Sequence, residues 1–458
     1  MFSGQDICAV STPMAEGGIA LIRISGENAV KIGAKVFRPL SRKSVEDMEG
    51  YTCAYGEIVD GKGRRVDDGV LTVFRAPRSY TGENVCEITC HGGLFVTKKV
   101  LRLCMENGAV MAQRGEFTKR ALLNGKLSLT QAEAVMDTIS AQGEYALASA
   151  NLTREGRLFG RISAVTKRLV EILGELAAWV DYPEEDLPEV EVPALRKSLS
   201  DSAEVTGRIL EDYDNGMILK NGIDTVIAGK PNVGKSTLMN MLLGFDRSIV
   251  TDVAGTTRDV IEENAKLGEY VLKLSDTAGI RDTQDKVEKI GVEIAKKRLR
   301  ECMLIMAVFD TSVPLDEEDR ELLHELTVLG KRTLIILNKS DLETKLDMGA
   351  FEGFENVLTL SAKNDEDRVR VQRAVESLFS FSAYDPDSTI FANERQKECA
   401  QRADRYLRAA IDSLDAGETL DAVTVMIDYG AQALLELTGE RASDAVVNEV
   451  FSKFCVGK

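Results

Sequence analysis

The chain has 458 residues, 44% of them hydrophobic, and carries 57 Lys and Arg against 74 Asp and Glu for a net charge of −17. The length sets a prior of about three domains, and the absence of any run of about 18 apolar residues excludes a transmembrane helix. The acidic balance argues against a tight, nonspecific hold on nucleic acid, so an RNA substrate would need a local basic patch or a partner protein. Only two histidines are present, which nearly excludes a His-based metal site, and eight cysteines lie scattered without C-x-x-C pairs. Such thiols suit a reducing cytosol. The opening Met1 to Asp6 has neither a basic signal region nor an Arg-rich transit character, so a cytoplasmic location is expected.

Residues 1–118 alternate short strands with helices, an α+β pattern. Ile19 to Ile24 and Gly69 to Phe74 read as strands, and Leu94 to Glu106 reads as a helix with an apolar face. Val85 to His91 alternates as a strand, placing Cys86, Ile88 and Cys90 on one face and Glu87, Thr89 and His91 on the other. A metal site built from Cys86, Cys90 and His91 fails on that geometry, because ligands must converge. Glu87, beside an apolar strand, needs a partner.

From 119 to 215 the period becomes helical: Ile162, Val165, Leu169, Ile172, Leu173, Leu176, Trp179 and Val180 share one apolar face. Tyr182 to Pro188 forms an acidic, Pro-containing interruption, and Asn215-Gly216 with Asn221-Gly222 mark a boundary. Thr225 to Ala228 reads as a buried strand and Thr237 to Leu243 as a helix. Between them, Gly229-Lys-Pro-Asn-Val-Gly-Lys-Ser236 matches the phosphate-cradling loop G-x-x-x-x-G-K-[ST]. Its backbone N–H groups, with the helix N-terminus, suit phosphate oxygens. Lys235 would reach the β- and γ-phosphates and Ser236 would hold Mg²⁺.

Thr251-Asp252-Val253-Ala254-Gly255-Thr256-Thr257 is a polar loop suited to a switch around Mg²⁺ and the γ-phosphate, with Thr257 the second protein ligand of the metal. Leu272 to Asp276 is a strand delivering an acid toward that metal, followed by Thr277-Ala278-Gly279, whose glycine N–H suits the γ-phosphate. Ile280 stands where many GTPases carry a water-orienting Gln. An apolar side chain cannot orient water, so either another group acts or hydrolysis is slow without an activator. Thr333 to Asn338 is a strand ending in Asn338-Lys339-Ser340-Asp341, where the Asp341 carboxylate would accept from guanine N1–H and its 2-amino group. Lys339 would lay its stem over the base, and Ser361-Ala362-Lys363 suits a contact to the guanine oxygen. The G domain is read as 216–382, and 383–458 is helical again, with Asp385-Pro386 at the exit. Cys455, near the terminus, reads as a small hydrophobe packing the last helix.

In chain order, Ser11-Thr-Pro13, Gly17 to Gly26, Ser79 to Glu87, His91-Gly-Gly93, Gly115 to Thr118, Asn124-Gly-Lys126, Gln131 to Ala134, the GTPase motifs and Phe451 to Lys458 resemble the MnmE/TrmE tRNA-modification GTPases along essentially the full length. The departures are Arg114 for Pro, Ser128 for Asp and Val456 for Ile. The resemblance implies an N-terminal tetrahydrofolate-binding-like α+β domain and a discontinuous helical domain (119–215 and 383–458) holding an inserted Ras-like G domain. It implies a GTP site at Asn232, Val233, Gly234, Lys235, Ser236 and Thr237 together with the switch and base motifs. A K⁺ ion would lie between Asn232 and the switch at Thr251, Val253 and Thr256, organised when two G domains meet. Glu288 would position water, although Asp285 to Lys289 otherwise reads as a solvated charged face. A 5,10-methylene or 5-formyl tetrahydrofolate would contact Arg23, Glu87, Lys126 and Lys458; for Arg23, a strand-end salt bridge is the alternative. Cys455 would serve the modification step as nucleophile or proton donor. The implied assembly is a homodimer that joins a MnmG/GidA-like flavoprotein in a heterotetramer acting on tRNA, with FAD and NADH on the partner, since no G-x-G-x-x-G fingerprint occurs here. The alternatives are an Era-like GTP-switched ribosome-assembly factor, which would usually need a basic RNA-binding domain, and a folate-dependent one-carbon transferase acting without tRNA.

Overall fold

Alternating apolar strands at both ends of the first 120 residues condense into a seven-stranded sheet. The structure, a computed structural model, describes residues 4–41, 43–141, 143–181, 191–244, 262–268, 270–276, 297–379 and 393–457. The strands of the first sheet are β1 (Ile7–Val10), β2 (Ile19–Ser25), β3 (Phe37–Pro39), β4 (Thr52–Val59), β5 (Arg65–Phe74), β6 (Val85–His91) and β7 (Val110–Met111), in the order β3-β4-β5-β6-β2-β1-β7. All pairs are antiparallel except β1 with β7. The alternation in β6 holds: Cys86, Ile88 and Cys90 are buried, Glu87 and Thr89 are half-buried and His91 is exposed. The buried face packs Ile22, Ile24, Leu71 and Ile88 with Val30 and Ile32 of the helix Ala29–Val36 and Val100 and Leu103 of the helix Leu94–Glu106.

This sheet belongs to a unit made of Met1–Met136, Thr153–Thr206 and Glu398–Lys458; a second unit comprises Asp137–Leu152 and Gly207–Lys397. In the first unit the helix Arg157–Asp181 packs along the helix Leu420–Thr438. It buries Ile162, Val165, Leu169, Ile172 and Leu176 against a partner that buries Val423, Ile427 and Leu434. Trp179 departs from the apolar face assigned to it, being 41% exposed. Periodicity assigns the apolar face but not how much of it finds a partner. The C-terminal segment is tied down: Phe451 and Phe454 are buried with Ala132, and Gly115 N–H donates to Cys455 O at 3.3 Å.

The second unit carries a six-stranded sheet made of β8 (Ile223–Ala228), β9 (Glu262–Leu267), β10 (Tyr270–Asp276), β11 (Leu304–Asp310), β12 (Thr333–Asn338) and β13 (Val357–Thr359), in the order β13-β12-β11-β8-β10-β9. Only β9 runs antiparallel to its neighbour. Both faces are covered: Ile227, Leu274, Met306 and Ile336 enter one core, Val226, Ile305, Phe309 and Ile335 the other. This two-sided burial is why these strands read as unbroken apolar runs. Asn215-Gly216, read as a boundary, lies inside the helix Val192–Asn221; the chain turns instead at Gly222, whose φ is +79°. Tyr182 to Pro188 and Asp385-Pro386 fall outside the described residues. Among those described, no helix is long and apolar enough to cross a membrane.

His91 closes β6 by pairing with Asp67 of β5: its Nδ1 lies 2.8 Å from Asp67 Oδ1, and its N–H donates to Oδ2 at 2.9 Å. The hydrogen bond to Asp67, then the carboxylate's charge, raise the imidazole above its ordinary 6.5. A raised folded value means the pairing stabilises fully below 6.5 and is lost as pH rises through the folded pKa. NMR titration of His91 should therefore show a midpoint above 6.5 that falls back in Asp67→Asn.

Candidate nucleotide and N-terminal sites

The C-terminal ends of parallel strands are where an open α/β sheet binds its ligands, and the phosphate loop leaves β8 there. Gly229 (φ +146°), Asn232 (φ 65°) and Gly234 (φ +102°) bend the loop inward. At Gly234 a side chain is excluded, because a Cβ would lie 2.2 Å from Asn338 Nδ2. Gly234 caps the helix Lys235–Leu243, which begins two residues before the expected Thr237. Lys235 and Ser236 thus form the first helical turn, so the loop ends directly on the positive end of the dipole. Val233 and Lys235 are buried, whereas Asn232, Ser236 and Thr237 are exposed. Lys235 Nζ donates to Gly229 O at 2.9 Å and Lys230 O at 2.8 Å. The exposed Ser236 hydroxyl at that helix end fits a hard cation, and β10 brings Asp276 into register with Ile227, beside the start of the loop.

Asn338 closes β12 as a buried carboxamide. Its Nδ2 donates to Val233 O at 2.8 Å, and its Oδ1 accepts from Ala362 N–H at 2.9 Å. It therefore joins the phosphate loop to the Ser361-Ala362-Lys363 loop. Asp341, the acid expected to read the base, is exposed, with Oδ1 accepting from Ser361 Oγ at 2.8 Å and Lys363 Nζ lying 3.6 Å from Oδ2. The Ser361 hydrogen bond leads the causes that hold its carboxyl below the usual range. Lys339 adopts φ 65° and its Nζ donates to Asp310 Oδ2 at 2.5 Å. Burial pushes the Asp310 carboxyl up, but hydrogen bonds from Lys339 and Ser312 outweigh it and keep it low. Sequence reasoning passed over Asp310; its signal was an acid closing a strand whose every residue is buried. Thr251 to Thr257, Thr277 to Gly279, Ile280, Glu288 and Lys458 lie outside the described residues.

In the first unit, Arg23 and Glu87 are cross-strand partners, and Arg23 Nε lies 2.7 Å from Glu87 Oε1. The salt-bridge reading of Arg23 holds, though in mid-strand rather than at a strand end. The guanidinium carbon also lies 5.5 Å from the Tyr80 ring centroid and 5.6 Å from that of Phe117. Tyr80 OH lies 2.8 Å from Thr118 Oγ1. Arg120, nearly fully buried, donates to Glu83 and Glu116. Lys126 is exposed and donates to Pro77 O at 3.1 Å, on the loop that carries Tyr80. Tyr80 and Phe117 were missed because their contact to Arg23 joins three separate segments. The tail meets the same sheet: Ser11 Oγ donates to Gly457 O at 3.0 Å, and Val456 bridges to Arg114. Gly457 has φ +97°, and a Cβ there would lie 2.3 Å from Val10 O. Cys455 is exposed; the packing expected of it is supplied by Phe451 and Phe454.

Because Asp341 offers only acceptors, Asp341→Asn should lower GTP affinity by about 100-fold or more, as for a site built on substrate donors. Xanthosine triphosphate, whose 2-oxo group accepts from the new amide, should recover binding in a competition assay.

The chain matches the family described as "GTP-binding protein TrmE N-terminus" over residues 6–126 and that described as "MnmE helical domain" over residues 129–455. Among curated relatives, a protein of Carboxydothermus hydrogenoformans is 40% identical across 99% of both chains. One of Lactobacillus delbrueckii is 42% identical across 99% of this chain and 98% of its own length. One of Clostridioides difficile is 38% identical across the whole of both. Each is named tRNA modification GTPase MnmE. Of solved structures, Era of Aquifex aeolicus aligns at 24% identity and TM-score 0.26, over 40% of this chain and 66% of that one. The FeoB G-domain of Methanococcus jannaschii aligns at 21% and 0.26, over 34% and 97%. These structural likenesses are too low to carry weight. Full-length identity decides the matter: the chain is a GTP hydrolase and belongs to the MnmE family of tRNA modification GTPases.

Proposed function

We propose that this GTPase modifies C5 of the wobble uridine of certain tRNAs in the cytoplasm, as a homodimer working with a MnmG-like flavoprotein that supplies the FAD and NADH chemistry. The observation that carries the reading is the tail. It places an exposed Cys455 on the N-terminal unit, against Arg114-Gly115 and Val10-Ser11, and that unit also holds the Arg23–Glu87 pair between aromatic rings. A reduced-folate ring would suit such a place: Glu87 would accept from ring N–H groups, while the partly exposed Tyr80 offers a face for stacking. Arg23, Lys126 and Lys458 favour the folate's carboxylates. The bound folate would supply the one-carbon unit.

At the G domain, Ser236, Thr257 and Asp276 would hold Mg²⁺, and Asn232 with Thr251, Val253 and Thr256 would hold K⁺. These cations would add positive charge where phosphoryl transfer develops negative charge. Lys235 orients the phosphates, Asp341 fixes the base, and Glu288 positions the attacking water. G-domain association across the nucleotides would complete the cation site. The flavoprotein would carry most of the tRNA contact, which accommodates the net charge of −17.

Mass spectrometry of tRNA nucleosides from cells lacking the protein should show loss of C5-aminomethyl-type wobble uridines, restored by wild type and not by Cys455→Ser. Unchanged nucleosides would reject the reading and favour an Era-like assembly switch. For the cation, GTP hydrolysis should be faster in KCl than in NaCl at matched ionic strength; equal rates would remove K⁺ from the account.

A further inference from the structure

The nucleotide motif leaves position 230 unspecified, yet Lys230 is among the most firmly held residues of the phosphate loop. Its Nζ donates to Asp316 Oδ2 at 2.6 Å and to Asp319 Oδ2 at 2.7 Å. Both acids belong to the N-terminus of the helix Glu317–Leu329, where they form a reciprocal capping box. Asp319 N–H donates to Asp316 Oδ1 at 3.0 Å, and Asp316 N–H donates to Asp319 Oδ2 at 3.3 Å. The Lys230 and Asp319 side chains are only 16% and 4% exposed, and Asp319 Oδ1 has no hydrogen-bond partner among the described residues. A rim ion pair contributes little, but this ammonium is the counter-charge of a buried carboxylate, whose removal is costly.

The same residue's carbonyl oxygen accepts from Lys235 Nζ at 2.8 Å. We propose that Lys230 is a positioning residue for GTP hydrolysis: it fixes the phosphate loop to a preformed helix end through Asp316 and Asp319, and so fixes the carbonyl that aims Lys235. Electrostatic catalysis depends on such preorganisation, because a group that must reorient during reaction loses its advantage. Without the anchor the peptide between Lys230 and Pro231 is free to turn, and Lys235 loses the Lys230 carbonyl as an acceptor.

The test measures steady-state GTP hydrolysis and melting temperature for the full chain. In Lys230→Met, kcat should fall about tenfold, with KM changing less than about threefold, since small misplacements of catalytic groups cost rate steeply. Lys230→Arg should recover most of the lost rate, because a guanidinium can span both carboxylates. Lys230→Met also strands the Asp319 charge, so Lys230→Met/Asp319→Asn separates folding from positioning. That double variant should regain melting temperature and keep the low kcat. Wild-type kcat in Lys230→Met, or in the double variant, would overturn the proposal, as would failure of Lys230→Arg to recover any rate.

Discussion

The Asn338 carboxamide joins two loops that lie more than a hundred residues apart from end to end in the chain. Its two hydrogen bonds, to Val233 O and from Ala362 N–H, use one of the two Nδ2 donors and one of the two Oδ1 lone pairs. Loss of the amide would strand two backbone groups in a buried place, at about 1–3 kcal/mol each. The 2.2 Å approach that forbids a Cβ at Gly234 is the steric face of the same contact. Phosphate loop, base loop and the first turn of Lys235–Leu243 therefore form one rigid body, and nucleotide chemistry depends on that rigidity.

Around this junction the lysines of the site are each held by oxygen acceptors. Lys235 rests on Gly229 and Lys230 carbonyls, Lys339 on Asp310, and Lys230 on Asp316 and Asp319. The acids come from the end of β11 and the segment that follows it, a stretch that carries no nucleotide motif of its own. An excess of acid in the composition is thus partly structural: carboxylates, of which Asp310 and Asp319 are buried, set the position of cations that would otherwise sample many rotamers.

The first unit follows a different logic. Its seven-stranded sheet buries one face against two helices, and the other face presents Arg23, Glu87 and Thr89. The tail reaches the neighbouring strand end through backbone contacts, with Gly115 and Gly457 in left-handed conformations that permit close approach. Phe451 and Phe454 provide the apolar anchor, which leaves the thiol between them and the terminus exposed. A thiol held by its backbone, rather than by its own packing, stays open to solvent.

Much of this was determined by sequence alone. The phosphate loop, the base motif, the alternation of Val85 to His91 and the apolar strands of the G domain are local patterns, in which each residue's role follows from its neighbours in the chain. The family resemblance likewise rested on spaced motifs read in order. What only the tertiary structure decided were pairings across long separations: Arg23 with Glu87 and two aromatic rings, Asp310 with Lys339, Lys230 with a helix cap, and the tail with Gly115. It also corrected Trp179, because periodicity specifies a helix face but not how much of that face finds a partner. Asn215-Gly216 illustrates the same limit, since a turn-forming pair inside the helix Val192–Asn221 is overruled by the residues packed on either side. Local spacing specifies which chemistry a segment can perform; which partner each charged group finds is settled only when distant segments share one buried volume.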